Sequence, residues 1–340
     1  LKRLILLTDY KGNFGSHWGA TTYRSGMDIS VLKKHFANAD YQLEVYTFSE
    51  FANLNSEFRE VPVIYTSSED IGYHYKDFIE DVILFAQEGG ALVIPRFAHL
   101  RANNNKVFME LLLKNLRGSL QTGPYARVYG VFEEAEREQR KYPAVIKEPR
   151  GAMSRGVQKA DDKKSFAKYA KRISRTPHLK SDVKDHLRTF KHKGYQSESL
   201  YRNKFVSQEF IPGLQNDWKV LIYGHKYFIF SRPVRPGDFR ASGSGFMNYT
   251  FGSACEFPEG IFDFAEKVYQ HLEVPQLSLD IAFDGQSFYL IEIQSVFFGT
   301  VGVIKSDVYF QRDGKEWKEQ PKQHPLERLY AESIISYLNN

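Results

Sequence analysis

Residues 280–294 read Asp-Ile-Ala-Phe-Asp-Gly-Gln-Ser-Phe-Tyr-Leu-Ile-Glu-Ile-Gln. Leu277, Leu279, Ile281 and Phe283 alternate before the turn-forming pair Asp284-Gly285, and Phe288, Leu290, Ile291 and Ile293 continue after it. Two apolar runs around Asp-Gly predict a β-hairpin, in which side chains alternate between faces. Asp280 and Glu292 sit at similar distances from the turn on opposite strands, with Gln294 on the face of Glu292. Two carboxylates aimed at one partly buried point repel each other unless something neutralises them. A hard divalent cation with oxygen ligands does so, magnesium on nucleotide phosphates being its usual form. The alternative is that each carboxylate meets a lysine or solvent.

The rest of the 340-residue chain bounds that reading. Apolar residues make up 42% and charged residues 26%, an ordinary globular balance, and the length suffices for two or three domains. A net charge of +5 suits anionic small molecules at least as well as nucleic acid. One cysteine, Cys255, excludes a disulfide framework and a cysteine metal cluster within the chain, and reads as a packing residue. No apolar run is long enough to cross a bilayer. Leu4–Leu7 runs directly into Thr8-Asp9-Tyr10-Lys11, so it reads as a strand and not as a signal segment. A cytoplasmic location is expected, and a homo-oligomer stays open.

Residues 1–100 alternate strand and helix patterns, which predicts a mainly parallel α/β domain. Gly12, Gly15 and Gly19 lack the spacing of a dinucleotide fingerprint. Residues 101–140 form a linker and the start of the next region. There Asn103-Asn104-Asn105 caps a helix whose first turn holds Lys106. The helix dipole disfavours a cation in that turn, so Lys106 is either a surface residue or reaches toward an anion.

A second lobe is expected over 141–210. A strand ends on Lys147, and Gly151 to Val157, with Ser154, Arg155 and Gly156, is either a plain turn or a phosphate-covering loop. Residues 163–204 carry 13 Lys/Arg against 3 Asp/Glu. Phe166, Tyr169, Ala170 and Ile173 predict one amphipathic helix, broken at Pro177, with His178, His186 and His192 scattered beyond. This basic insertion is a solvated excursion, a docking face for a large anionic substrate, or a nucleic-acid cradle. Phe205–Ile211 predicts a strand, and its exposed connector can read an adenine edge with backbone groups. The last lobe, 211–340, holds Arg232, Arg235 and Arg240 within nine residues beside glycines, a pattern suited to anions.

Taken together, Lys106, Lys147, Gln208-Glu209-Phe210-Ile211, Asp217 with Lys219, Gly237-Asp238-Phe239-Arg240 and the Asp280/Glu292/Gln294 set resemble the ATP-grasp superfamily over about residues 95–305. Within it the pattern is similar to the ribosomal-protein-modifying glutamate ligase-like group. The resemblance implies an ATP-grasp fold of α/β class with α+β lobes, behind an N-terminal mainly parallel domain. It implies that Lys106 and Lys147 contact ATP phosphates, that Gly151, Ser154 and Gly156 belong to the lid, and that Gln208, Glu209, Phe210 and Ile211 hold adenine. Asp217 falls near the ribose, Lys219 stands where the group often has arginine, and Arg240, with Arg235 nearby, serves the transferred phosphate. Asp280, Glu292 and Gln294 are the implied metal ligands, Gln294 standing where asparagine is usual.

The implied activity is an ATP-dependent, ADP-forming carboxylate–amine ligation through an acyl phosphate, using ATP and two magnesium ions, with manganese as a substitute. Its partners would be small-molecule or peptide carboxylates and amines, with no membrane span and no nucleic acid. A small-molecule kinase on the same fold, or a catalytically weak ATP-binding interaction protein, are the competing expectations.

Overall fold

The computed structural model describes residues 1–20, 26–55, 57–120, 122–151, 156–234, 237–240 and 248–340. The chain forms two compact units, residues 1–103 with 214–340, and residues 104–213.

The first unit begins with β1 (Lys2–Thr8), α1 (Ile29–Ala37), β2 (Tyr41–Thr47), α2 (Phe48–Ala52), β3 (Pro62–Tyr65), α3 (His74–Glu88), β4 (Leu92–Ile94) and α4 (Phe97–Ala102). The strands form a parallel sheet in the order β2-β1-β3-β4. Leu4 and Leu6 enter one apolar cluster and Ile5 and Leu7 another. That is why β1 is an unbroken apolar run: a parallel strand is covered on both faces.

The second unit follows with α5 (Lys106–Leu120), β5 (Ala126–Tyr129), α6 (Phe132–Glu136), β6 (Ala144–Lys147), β7 (Val157–Ala160), α7 (Lys163–Ser174), α8 (Leu179–Lys191) and β8 (Phe205–Glu209). Its antiparallel sheet runs β5-β8-β6-β7. Ile146 and Phe205 meet Phe132, Phe166, Ala170 and Ile173 in its core. The basic segment therefore holds two helices where the sequence predicts one. Pro177 separates them, and His186 lies on the second, not in irregular chain.

The chain then returns to the first unit with β9 (Asn216–Tyr223), β10 (Lys226–Pro233), β11 (Thr250–Phe251), α9 (Ile261–Leu272), β12 (Gln276–Phe283), β13 (Phe288–Gln294), α10 (Val301–Lys305), β14 (Val308–Asp313), β15 (Glu316–Pro321) and α11 (Leu326–Asn339). These strands form an antiparallel sheet in the order β13-β12-β9-β10-β14-β15, with β11 on β10. Leu221, Phe228 and Ile334 share a cluster with Leu4, Leu6 and Phe36, so both sheets of this unit use one core. Each such side chain, fully buried, contributes about 1.5–3 kcal/mol. Among the described residues no helix is long and apolar enough to cross a membrane.

Candidate functional site

The hairpin forms, with a longer connector than Asp284-Gly285 alone. Residues 284–287 make the turn, and the Asp284 carboxylate accepts from the amides of Gln286 at 2.9 Å and Ser287 at 2.8 Å. Phe283 opposes Phe288, Ala282 opposes Tyr289 and Ile281 opposes Leu290, but Asp280 opposes Glu292. Ile291 is an extra residue, a β-bulge. Directly opposed residues share a face, so the bulge brings Glu292 and Gln294 onto the face of Asp280 and Ser278. The burial pattern carries the same mark: Leu290 and Ile293 are buried three residues apart, not two.

On the other side β12 pairs with β9, Asp280 opposing Lys219, and β9 pairs with β10, Asp217 opposing Arg232. One sheet face thus carries Glu292, Asp280, Lys219, Asp217 and Arg232. Lys219 Nζ donates to Asp280 Oδ1 at 2.8 Å. Arg232 grips Asp217 through Nε and Nη2 at 2.6 and 2.8 Å, and its Nη2 also reaches Asp280 Oδ2 at 2.8 Å. Burial pushes the Asp280 carboxyl up, but Arg232 and Lys219 outweigh it and hold that carboxyl well below its ordinary value. The same two carboxylates more than reverse the effect of burial on Arg232 and raise its pKa.

This foursome, with Asp217, Asp280 and Arg232 buried and Lys219 half-buried, balances two carboxylates with two cations. Both oxygens of Asp280 are engaged by lysine and arginine, the second of the two outcomes the sequence leaves open. Glu292 differs. It is half-buried, and among the described residues no cation lies within ion-pair distance of it. The Ser278 hydroxyl, on the same face and opposite Gln294, is buried with no hydrogen-bond partner. A carboxylate, an amide oxygen and an orphaned hydroxyl are a donor set that fits a hard cation. Among the described residues no three His, Cys, Asp or Glu side chains gather around a common point, so such an ion would draw on the amide and on non-protein oxygens as well.

In the second unit, Lys147 opposes Val157 and Val206, and Gln208 opposes Val145. Lys147 and Gln208 therefore share one face of the sheet, opposite the Ile146–Phe205 core. Lys147 is buried at the end of β6. Asn105 caps α5 through the Phe108 amide at 3.3 Å. Lys106 is no surface residue: its amide donates to Pro149 O at 2.8 Å and its ammonium binds Gly151 O. One α-helical turn on, Glu110 accepts from Gln208 Nε2 at 3.4 Å and pairs with Arg117. The loop that Lys106 holds closes on Gly156, whose carbonyl accepts from the Glu148 amide at 3.0 Å. Ser154 in this loop lies outside the described residues.

β8 stops at Glu209, two residues before the strand the sequence predicts. Glu209 donates its amide to Tyr125 O at 3.0 Å, and Phe210 and Ile211 continue as connector, with Lys159 Nζ 4.8 Å from the Phe210 ring centroid. Back in the first unit, Arg240 is held by Asp238 through Nη2 at 2.8 Å and Nε at 3.0 Å, while Arg235 lies outside the described residues. Arg232 does not serve an incoming anion as its place in the arginine cluster suggests, since its guanidinium is consumed by Asp217 and Asp280. Cys255 is buried, and burial pushes its thiol up, which suits packing and not nucleophilic attack.

No family model matches the sequence, and no curated protein matches it. Solved structures do. A D-cycloserine synthetase is 12% identical over 99% of this chain and 99% of its own, with a TM-score of 0.53. A RimK domain ATP-grasp protein from Sphaerobacter thermophilus is 14% identical over 98% of this chain and 99% of its own, with a TM-score of 0.50. A RiPP-associated ATP-grasp ligase from Chryseobacterium gregarium, solved with ADP and a leader and core peptide, is 12% identical over 88% of this chain and 90% of its own, with a TM-score of 0.52. The fold is the ATP-grasp fold.

Within that ATP-grasp frame the structure brings Asp217, Lys219, Asp280, Glu292 and Gln294 to one sheet face, and sets Lys147 and Gln208 on one face of the other unit's sheet. Two further residues on the first of these faces, Ser278 and Arg232, were not placed there by the sequence reading. Ser278 was legible as the middle of an alternating polar row, Gln276, Ser278 and Asp280, in an otherwise apolar strand. The clamp made by Arg232 had no local signal, because Asp217 and Asp280 lie 15 and 48 positions away from it.

Proposed function

We propose that the protein is an ATP-dependent carboxylate–amine ligase that forms an amide through an acyl phosphate and releases ADP. The observation that carries the reading is the edge Glu292–Gln294–Ser278, unpaired among the described residues, beside the balanced Asp217/Lys219/Arg232/Asp280 cluster, on an ATP-grasp fold. A fixed, neutral cluster orients Asp280 and leaves Glu292 as the net negative group at its rim.

Glu292 and Gln294, with the Ser278 hydroxyl, would hold magnesium, two ions with ATP bound, beside the Asp280 carboxylate that Lys219 and Arg232 neutralise. When bound, the metal neutralises the phosphate oxygens and polarises them. Lys106 and Lys147 hold phosphates, while Gln208, Glu209, Phe210 and Ile211 cover and read the adenine. Gly151 and Gly156, with Ser154, form the loop that keeps water from the reactive intermediate. Asp217 and Lys219 act through the cluster, and Arg240, with Arg235, meets the transferred phosphoryl group. A substrate carboxylate oxygen attacks the γ-phosphorus, the bond to the ADP oxygen breaks, and an acyl phosphate forms. An amine then attacks the acyl carbon, phosphate departs with the bonding pair, and the amine nitrogen gives up its proton. Such chemistry asks the chain for positioning and charge, not for a nucleophile. In its motif order the chain resembles the glutamate ligase-like group.

The test is an ADP-release assay across paired acids and amines, with mass detection of product. Amide formed in step with ADP, and only when both substrates are present, is the expected result. A stable phosphate ester on an alcohol acceptor would instead make the protein a kinase, and nucleotide binding without any turnover would make it an interaction protein.

A further inference from the structure

The two helices of the basic segment are built alike and used differently. In α7, Phe166, Ala170 and Ile173 are buried in the core of the second unit. In α8, Leu179, Val183, Leu187 and Phe190 recur at the same helical spacing, yet no residue of α8 is buried. The four are exposed by 80%, 59%, 60% and 78%. On a helical wheel they fall within about 80° of arc, one continuous apolar stripe. A stripe of this kind with no part in the fold is unusual for a surface helix.

The charges of α8 are sorted to its two sides. Lys180, Lys184 and Lys191 run along one edge of the stripe, and among the described residues none of them is in an ion pair. The acids lie away from that edge and are held by the chain itself. Asp182 accepts from the His178 amide at 2.9 Å, and Asp185 accepts from the Glu198 amide at 2.8 Å and from the Tyr195 hydroxyl. What α8 offers outward is therefore an apolar stripe with a cationic margin on one side. An anionic bilayer would be matched by cations on both margins. Here His186 and Asp182 occupy the other one.

We propose that α8 is a docking helix for an amphipathic helical peptide segment that carries acidic residues along one edge of its apolar face. The apolar stripes pack together, and the acidic edge pairs with Lys180, Lys184 and Lys191, which fixes the direction of the partner helix. Thirteen residues of helix present about 20 Å of contact, three to four turns of a partner. The inference is independent of the ligase reading, since docking is measured without turnover.

The probe is a fluorescent alanine-based helical peptide with leucines at i, i+4, i+7 and i+11 and glutamates along one edge. Its affinity for the full chain is read by anisotropy. The glutamate-edged peptide binds, a scrambled peptide of the same composition does not, and a lysine-edged peptide binds at least about tenfold more weakly. Lys184→Glu with Lys191→Glu reverses that preference. Leu187→Asn with Phe190→Asn removes binding of both peptides while the melting temperature holds, because no side chain of α8 supports the core. Equal binding of the two charged peptides, or variants that bind like the parent, overturns the proposal. So does cosedimentation with vesicles of phosphatidylcholine and phosphatidylserine in equal parts when the peptide does not bind. An equilibrium dimer that the Leu187/Phe190 variant dissociates would likewise replace the peptide with a second copy of the chain.

Discussion

Glu292 stands directly opposite Asp280 because Ile291, the residue before it, is bulged out of the ladder. In the unbulged register set by Phe283 and Phe288, Ile291 would oppose Asp280, and Glu292 would point to the other face of the sheet. The bulge therefore places two carboxylates side by side in a partly buried sheet. Among the described residues only Asp280 is neutralised by cations of the chain. The other is the better candidate for work on an external cation.

Glu292→Gln removes that charge and keeps the shape. Turnover is expected to fall at least roughly tenfold, with the urea midpoint unchanged, because among the described residues the group carries no ion pair. Gln294→Asn retains an amide oxygen and should stay within a few-fold of the parent, whereas Gln294→Leu should follow Glu292→Gln. Magnesium-dependent ADP release at the parent rate in both Glu292→Gln and Gln294→Leu would remove these residues from the site.

The hairpin and the parallel N-terminal sheet were legible because they rest on local periodicity, whereas the two lobes were expected from the resemblance. Leu4–Leu7 reads as a doubly covered strand and is one. The sequence set Asp280 and Glu292 on opposite strands at similar distances from the turn, but counting outward from the turn puts Ile291, not Glu292, opposite Asp280, and only the bulge makes the two carboxylates face. A bulge is a non-local compromise between two ladders, marked in sequence only by the spacing of Leu290 and Ile293. Lys106 showed as an anomaly at a helix start, and its anchoring to Gly151 explains the anomaly without naming a surface role. The destination of Arg232 depended on partners in other strands, and α8 was missed because the segment beyond Pro177 was read for its scattered histidines and not for the helical spacing of Leu179, Val183, Leu187 and Phe190.

Arg232→Met leaves Asp217 and Asp280 buried with Lys219 as their one remaining cation. Removing one side of such a buried pair costs about 3–5 kcal/mol. The loss should appear as a marked fall in the urea midpoint. Arg232→Lys recovers only part of it, since one ammonium cannot reproduce a two-point grip on Asp217 and a reach to Asp280. Adding Asp217→Leu to Arg232→Met should restore part of the stability. An Arg232→Met protein that unfolds at the parent urea concentration would contradict the cluster.

Gly156 has φ +72°, and a β-carbon built there would lie 2.4 Å from Glu148 Cδ. The left-handed backbone costs a non-glycine residue about 1–2 kcal/mol, and the side chain of Glu148 must also swing away. Gly156→Ala should therefore lower stability by about that amount. Glu148→Ala added to it relieves the contact but not the backbone, so the double variant stays below Glu148→Ala alone. Full recovery in the double variant would mean that the contact, and not φ, is what requires glycine at this end of the loop.

His99 gives the sharpest dependence on pH. It lies on α4, 3% exposed, with Nδ1 3.2 Å from the Ser295 hydroxyl. Burial, helped by Arg96, lowers its pKa from 6.5 to about 4. Between those two values the unfolded chain binds a proton at residue 99 that the folded protein refuses. Stability conferred by the neutral ring is complete above pH 6.5 and declines as the pH falls toward about 4, by roughly 3 kcal/mol in all. His99→Gln keeps a polar group beside Ser295 and has no proton to take up. Urea midpoints measured across this range should fall steeply with acid for the parent and flatten for the variant. Parallel curves for the two proteins would show that another group sets the acid slope.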